Sequence, residues 1–218
     1  MPEDQQPTVT GRIANAALLA ALAAIGYYEH KHPGKMLDTM KGKGMRGFGG
    51  PSPLDHPLSN TELDAMAEKL NIPNYLGAVP DDQLQIRPGC CGIVNYQSTG
   101  EPGSHWVGWW FDDYDDFEML YVFDSLGFPP DDVVERAAKK YATQVVFTDE
   151  PVQSSHSSVC GLYALLFCYA MQLTTDKNRD HPHQGKPAKS YQDFIEVWSE
   201  NLEQNDTLLL KKMDALLQ

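Results

Sequence analysis

Residues 159–173, VCGLYALLFCYAMQL, are apolar on every side, and this run constrains the fold more than any other part of the chain. A helix with one apolar stripe can lie on a surface, but a helix that is apolar all round has to be enclosed by other elements. The neighbouring segments can enclose it. CCGIVNY (90–96), HWVGWWF (105–111), MLYVFDS (119–125) and TQVVFTD (143–149) read as strands, and VVERAAKKYA (133–142) reads as a helix. FDDYDDFE is a polar connection between two of the strands, and two polar helices near 190–202 and 206–217 close the chain. Upstream, Ser59-Asn60-Thr61-Glu62 is a capping sequence before ELDAMAEKL, whose Leu63, Met66, Ala67 and Leu70 share one face. The expected class is α+β, with a central mixed sheet packed by the buried helix.

Charge divides the 218 residues unevenly. Residues 30–50 carry five lysines and arginines against one aspartate, a net of +4, whereas residues 51–218 carry eleven basic against twenty-six acidic residues, a net of −15. The main body should repel nucleic acid, and the basic segment could attract it or attract the acidic body itself. Three parts are expected: an Ala-rich helical extension (1–29), a basic Gly/Pro-rich linker (30–57) and a folded domain (58–218). The apolar stretch within GRIANAALLAALAAIGYY (11–28) is short against the roughly 20 residues of a membrane span, and Glu3 and Asp4 do not suit a secretory leader. No stable membrane span is expected. Four cysteines, two of them adjacent at Cys90 and Cys91, form neither a disulfide framework nor a zinc knuckle, which points to a reducing compartment.

Four segments carry chemistry when taken together. Cys160 stands where the loop QSSHSSV becomes the buried helix. A helix N-terminus presents unpaired N–H groups that favour an anionic sulfur, and Gly161 could admit a substrate backbone. A cysteine opening an apolar helix can also be ordinary core, as Cys168 is expected to be. His105 lies in an aromatic strand that would fix its imidazole. Asp124 emerges from the end of MLYVF and could hold that imidazole in one tautomer. Gln153 lies seven residues before Cys160 and could join the Cys160 N–H in an oxyanion hole. A nucleophile, a base, an orienting acid and an oxyanion donor are what a cysteine protease requires. Asp180-His181-Pro182-His183 is a poor metal pair, and the doublets Asp112-Asp113 and Asp115-Asp116 read as a solvated turn, so no metal site is expected.

HW (105–106), FDSLGF (123–128) and VQ…SSVCGLYALLF (152–167) resemble the adenain-like maturation cysteine proteases of adenoviruses. SNTELDAMAEKLNIPNYLGAVPDDQL resembles the opening helix and loop of that family, and CCGIVN its first core strand. The resemblance implies an α+β protease fold with the nucleophile on the central helix and no cofactor needed for the chemistry. It assigns His105 as base, Asp124 as orienting acid, Cys160 as nucleophile and Gln153 as oxyanion donor. It also implies viral precursor polypeptides as substrates, a monomeric enzyme, and a location in the virion and the host cell interior, in the nucleus or at a cytoplasmic assembly site. Family members are activated by DNA and by a peptide disulfide-bonded to a cysteine upstream of the nucleophile. The corresponding region here, Tyr141 to Thr143, has no cysteine, and the acidic body is unsuited to DNA. Two alternatives remain open: a SUMO- or ubiquitin-like protein deconjugase of the same clan, and a non-catalytic virion interaction protein.

The linker contains a doublet, Met40-Lys41-Gly42-Lys43-Gly44 followed by Met45-Arg46-Gly47-Phe48-Gly49. Both halves fit the (Met/Ile/Leu)-X-Gly-X before Gly pattern that the resemblance implies for substrates. Exposed, flexible chain is also where proteolysis is easiest. Cleavage after Lys43 or Phe48 would release the N-terminal extension.

Overall fold

A computed structural model of the chain describes residues 52–112, 118–142, 144–173 and 188–218. The Ala-rich run, both cleavage motifs from Met40 to Gly49, Asp113, Asp115 and Asp116, and the His181/His183 pair lie outside the described residues.

Helix α1 (Asn60–Lys69) begins with a full capping box, in which Ser59 and Glu62 exchange side-chain-to-backbone hydrogen bonds and satisfy two N–H groups that the first turn leaves unpaired. Strand β1 (Tyr75–Pro80) follows, then a single 3₁₀ turn (Asp81–Gln83). The core strands are β2 (Cys91–Asn95), β3 (Trp106–Asp112) and β4 (Met119–Phe123), succeeded by α2 (Asp132–Ala138) and β5 (Gln144–Phe147). The buried helix α3 (Cys160–Leu173) precedes α4 (Lys189–Glu196) and α5 (Leu202–Leu216).

The five strands run in the order β1-β2-β3-β4-β5, antiparallel at the centre and parallel at both edges. This is the expected α+β architecture with a mixed sheet. Side chains alternate across the sheet, which gives it two apolar faces. On one face Cys91, Ile93, Trp110, Tyr121 and Phe123 pack with α1, α3, α4 and α5. On the other, Val107, Trp109, Phe111, Leu120 and Val122 are covered by Ile86 and by Val134 and Ala138 of α2. The α3 side chains Leu162, Leu166 and Phe167 are fully buried. Each large apolar side chain buried in this way contributes about 1.5–3 kcal/mol, so the enclosure of α3 is a main source of stability.

Several expectations need adjustment. Strand β1 falls in a segment expected as loop, because Gly77 and Pro80 depress the strand signal and an edge strand exposes much of its surface. Helix α2 ends at Ala138, short of residue 142. Helix α4 ends at Glu196, and α5 begins at Leu202 under the Asn201 cap, earlier than residue 206. Residues 52–57, expected as the end of the linker, lie against the domain: Ser52 Oγ hydrogen-bonds Asp214, and Leu54 packs on the core.

Candidate active site

His105 sits immediately before β3, where its backbone carbonyl accepts from Tyr96 N–H and extends the β2–β3 ladder. Asp124 sits immediately after β4. These strands are antiparallel neighbours with Gly108 opposite Phe123, so the start of β3 lies beside the end of β4. Residues 19 apart in sequence therefore meet: His105 Nε2 donates to Asp124 Oδ1 at 2.8 Å, in a pair whose carboxylate is 1% exposed.

Asp124 is itself held from several sides. Oδ1 also accepts from Leu126 N–H at 2.7 Å. Its backbone N–H donates to Thr148 Oγ1, and the same hydroxyl donates back to the Asp124 carbonyl, both at 2.9 Å. A carboxylate fixed in this way fixes the imidazole in turn. Edge-on rings bracket His105, with the Tyr96 centroid 6.0 Å and the Phe128 centroid 6.4 Å away.

Cys160 is the first residue of α3 and is half-buried. Its first-turn N–H has no carbonyl one turn back to bond. Cys160 stands close enough to the same imidazole to act on its charge. Burial opposes a charge on His105, but the hydrogen bonds and charges of Asp124 and Cys160 outweigh it and push its pKa up to about 9. The raised pKa favours a protonated ring beside the carboxylate. By contrast, Cys168 is fully buried, and its thiol donates to the Gly92 carbonyl at 3.2 Å. Cys168 is core, as expected.

Gln153 lies on the loop between β5 and α3, 2% exposed. Its Nε2 donates to the Ser157 carbonyl at 2.9 Å, and its Oε1 accepts from Ser125 Oγ at 2.6 Å. A carbonyl can only accept, so Ser157 fixes which end of the amide carries the N–H groups. The amide nitrogen faces the turn that leads into Cys160. Helix α5 braces this loop: Asn205 Nδ2 donates to the Val152 carbonyl at 2.9 Å, and Asp206 accepts from Ser154 N–H and from Tyr163 Oη. The Ser125 carbonyl accepts from the N–H groups of both Val152 and Gln153 at 2.9 Å. Gly161 has a different role from the one expected. A Cβ there would lie 3.2 Å from Leu63 Cδ2 and 3.3 Å from Trp106 Cδ1, so its missing side chain admits α1 and the indole rather than substrate.

The sequence reading thus named four residues that the fold gathers at one end of the sheet and of α3. It did not assign Ser125, Thr148, Ser157, Asn205 or Asp206, which position them. The Asp-Ser pair in FDSLGF was the one visible signal. The others act through backbone contacts that no local pattern reveals. Among the described residues no group of three or more His, Cys, Asp or Glu could hold a metal, and no helix is long and apolar enough to cross a membrane.

The chain is 32% identical over 133 residues to a protease of porcine adenovirus A serotype 3. The chain is thus similar in sequence to adenovirus proteases. A protease of bovine adenovirus C serotype 10 is 28% identical over 102 residues. These matches take in 53% and 40% of this chain and 64% and 50% of the relatives' own lengths, less than two thirds in either case. No family model matches the chain. Two crystal structures of an ASFV protease align over 77% and 91% of this chain, and 79% and 92% of theirs, with TM-scores of 0.40 and 0.43 and identities of 18% and 16%.

Proposed function

We propose that the chain is a viral cysteine endopeptidase that matures precursor polypeptides in the virion and the infected cell, with His105, Asp124 and Cys160 as its catalytic triad. The observation that carries this reading is the buried 2.8 Å contact between the His105 imidazole and the Asp124 carboxylate, with Cys160, at the first turn of a buried helix, close enough to the ring to raise its pKa. The likeness to adenovirus proteases supports it.

In the proposed reaction the Cys160 thiolate attacks the scissile carbonyl carbon, forming a C–S bond. The Cys160 N–H and a Gln153 Nε2–H stabilise the oxyanion. The His105 imidazolium delivers its proton to the leaving amine as the C–N bond breaks. The neutral imidazole then takes a proton from water, whose oxygen attacks the thioester, and the C–S bond breaks to restore the thiolate–imidazolium pair. Asp124 keeps its charge throughout and orients the ring. This chemistry calls for no metal or cofactor, and an activating peptide or DNA would act on it from outside the reacting groups.

The substrates under this proposal are chains with (Met/Ile/Leu)-X-Gly-X before Gly, and the protein carries two such sequences of its own in residues 40–49. Incubating the purified chain beside its Cys160→Ala form and reading intact masses tests both points. Loss of the segment before Gly44 or Gly49 in the first sample alone is the expected result. Truncation in both samples, or turnover of Met-X-Gly-X-Gly peptides by Cys160→Ala, would refute the assignment. Labelling of Cys160 by a ubiquitin-like vinyl sulfone would move the activity to deconjugation.

A further inference from the structure

Phe128 breaks the burial pattern of this protein. Most aromatic side chains of the sheet and of α3 are enclosed, yet Phe128 is 55% exposed, the most open of the large apolar side chains among the described residues, ahead of Phe147 at 42%. Its ring stands edge-on to His105, with centroids 6.4 Å apart and planes at 85°.

The backbone beneath this ring is held firmly. Gly127 N–H donates to the Asp124 carbonyl at 3.1 Å, and Leu126 N–H donates to Asp124 Oδ1. Gly127 has φ 74°, which a side chain rarely adopts, and a Cβ there would lie 2.7 Å from the Glu150 carbonyl carbon. Pro129 and Pro130 follow directly and restrict the chain leaving the turn. An aromatic ring in water is costly to keep unless it has a use, and a rigid turn lowers the entropy lost when such a ring makes a contact.

We infer that Phe128 is a specificity residue that receives an apolar side chain on the leaving-group side of the cleaved bond. This rests on the protease reading above. His105 must stand beside the leaving amine to give it a proton, so the residues that follow the amine pass the imidazole. Phe128 is the exposed apolar surface at that edge. Tyr96, the other ring standing edge-on to the imidazole 6.0 Å away, is half-buried and offers less open surface than Phe128.

The test is a cleavage-site profile on a proteome-derived peptide library, for the unaltered chain, Phe128→Ala and Phe128→Leu. The unaltered chain should enrich Leu, Ile, Met or Phe at the second position after the cleaved bond. Phe128→Ala should lose that enrichment by about tenfold, as removal of one apolar contact predicts, while the preference before the bond stays unchanged. Phe128→Leu should keep most of it. On a coumarin-amide substrate, which has no residues after the bond, Phe128→Ala should lose markedly less than on peptides with an apolar residue after the bond. Equal losses on both substrate types, or an unaltered chain without apolar enrichment after the bond, would overturn the specificity assignment and leave the protease reading intact. Absence of any cleavage by the unaltered chain would overturn both.

Discussion

Ser125 Oγ donates to Gln153 Oε1 at 2.6 Å, with both side chains buried, and so joins the turn that holds Asp124 to the loop that presents the amide. Asp124 and Gln153 are thereby tied to one another through a single hydroxyl. Ser125→Ala leaves a buried amide oxygen without this partner and lets the amide drift. We expect kcat to fall with KM little changed, by less than the factor of about 10²–10³ expected for Gln153→Ala. Steady-state kinetics of the two variants check the order, and a Ser125→Ala defect confined to KM would contradict it.

Under the proposed mechanism, Asp124 should set the alkaline limit of activity. His105 has its pKa raised to about 9 against an ordinary 6.5, with Asp124 and Cys160 outweighing burial. A raised histidine pKa adds stability that is complete below 6.5 and disappears as pH climbs through 9. The same deprotonation removes the imidazolium needed to protonate the leaving amine. For the unaltered chain, kcat/KM should fall above about pH 9, and denaturant stability should decline between pH 6.5 and 9. Asp124→Asn should move both transitions to lower pH. An unchanged alkaline limb in that variant would show that Asp124 does not govern the base.

The four cysteines should differ sharply in reactivity. Cys160 is half-buried beside an imidazolium, whereas Cys91 and Cys168 are fully enclosed between β2 and α3, where burial pushes the Cys168 thiol well up. Iodoacetamide at neutral pH should alkylate Cys160 first and reach Cys91 and Cys168 only on unfolding. Peptide mapping over time reads the sequence of events. Alkylation of Cys168 as fast as Cys160 would favour a non-catalytic protein.

Helix α5 should matter to activity although it contributes no reacting group. Asp206 accepts from Ser154 N–H at 3.3 Å and from Tyr163 Oη at 3.0 Å, against burial that raises its pKa. Asp206→Ala leaves those donors unpaired, at a cost of about 1–3 kcal/mol of stability. It should also lower kcat by loosening the loop that carries Gln153. Urea denaturation and kinetics on one preparation check the pair of effects, and full activity with reduced stability would confine α5 to a structural role.

Much of this architecture was legible before the fold was seen. An all-round apolar run predicted the enclosed helix, and aromatic, β-branched runs predicted β2, β3 and β4, because burial on both sides leaves a direct compositional trace. β1 was missed for the complementary reason: an edge strand with Gly77 and Pro80 leaves almost none. Cys160 and Asp124 were named because each sits where an element begins or ends, His105 because it lies in an aromatic strand, and Gln153 for its spacing before Cys160, and their order matches a known family. The residues that hold them gave little signal. Thr148 and Asn205 bond backbone groups far away in sequence, and any hydroxyl or amide in the right place would look the same locally.

The sequence alone determined the residue types available for nucleophilic chemistry and the period-2 and all-apolar patterns that select a sheet and a buried helix. It also determined the charge contrast between residues 30–50 and the acidic body. Tertiary structure decided that His105 and Asp124 meet, that Gly161 makes room for Leu63 and Trp106 rather than for substrate, and that Phe128 stays in solvent. The reason is physical. Propensity and periodicity act over a few residues, whereas a 2.8 Å contact across 19 residues depends on strand register, which is set by the packing of the whole sheet against α3.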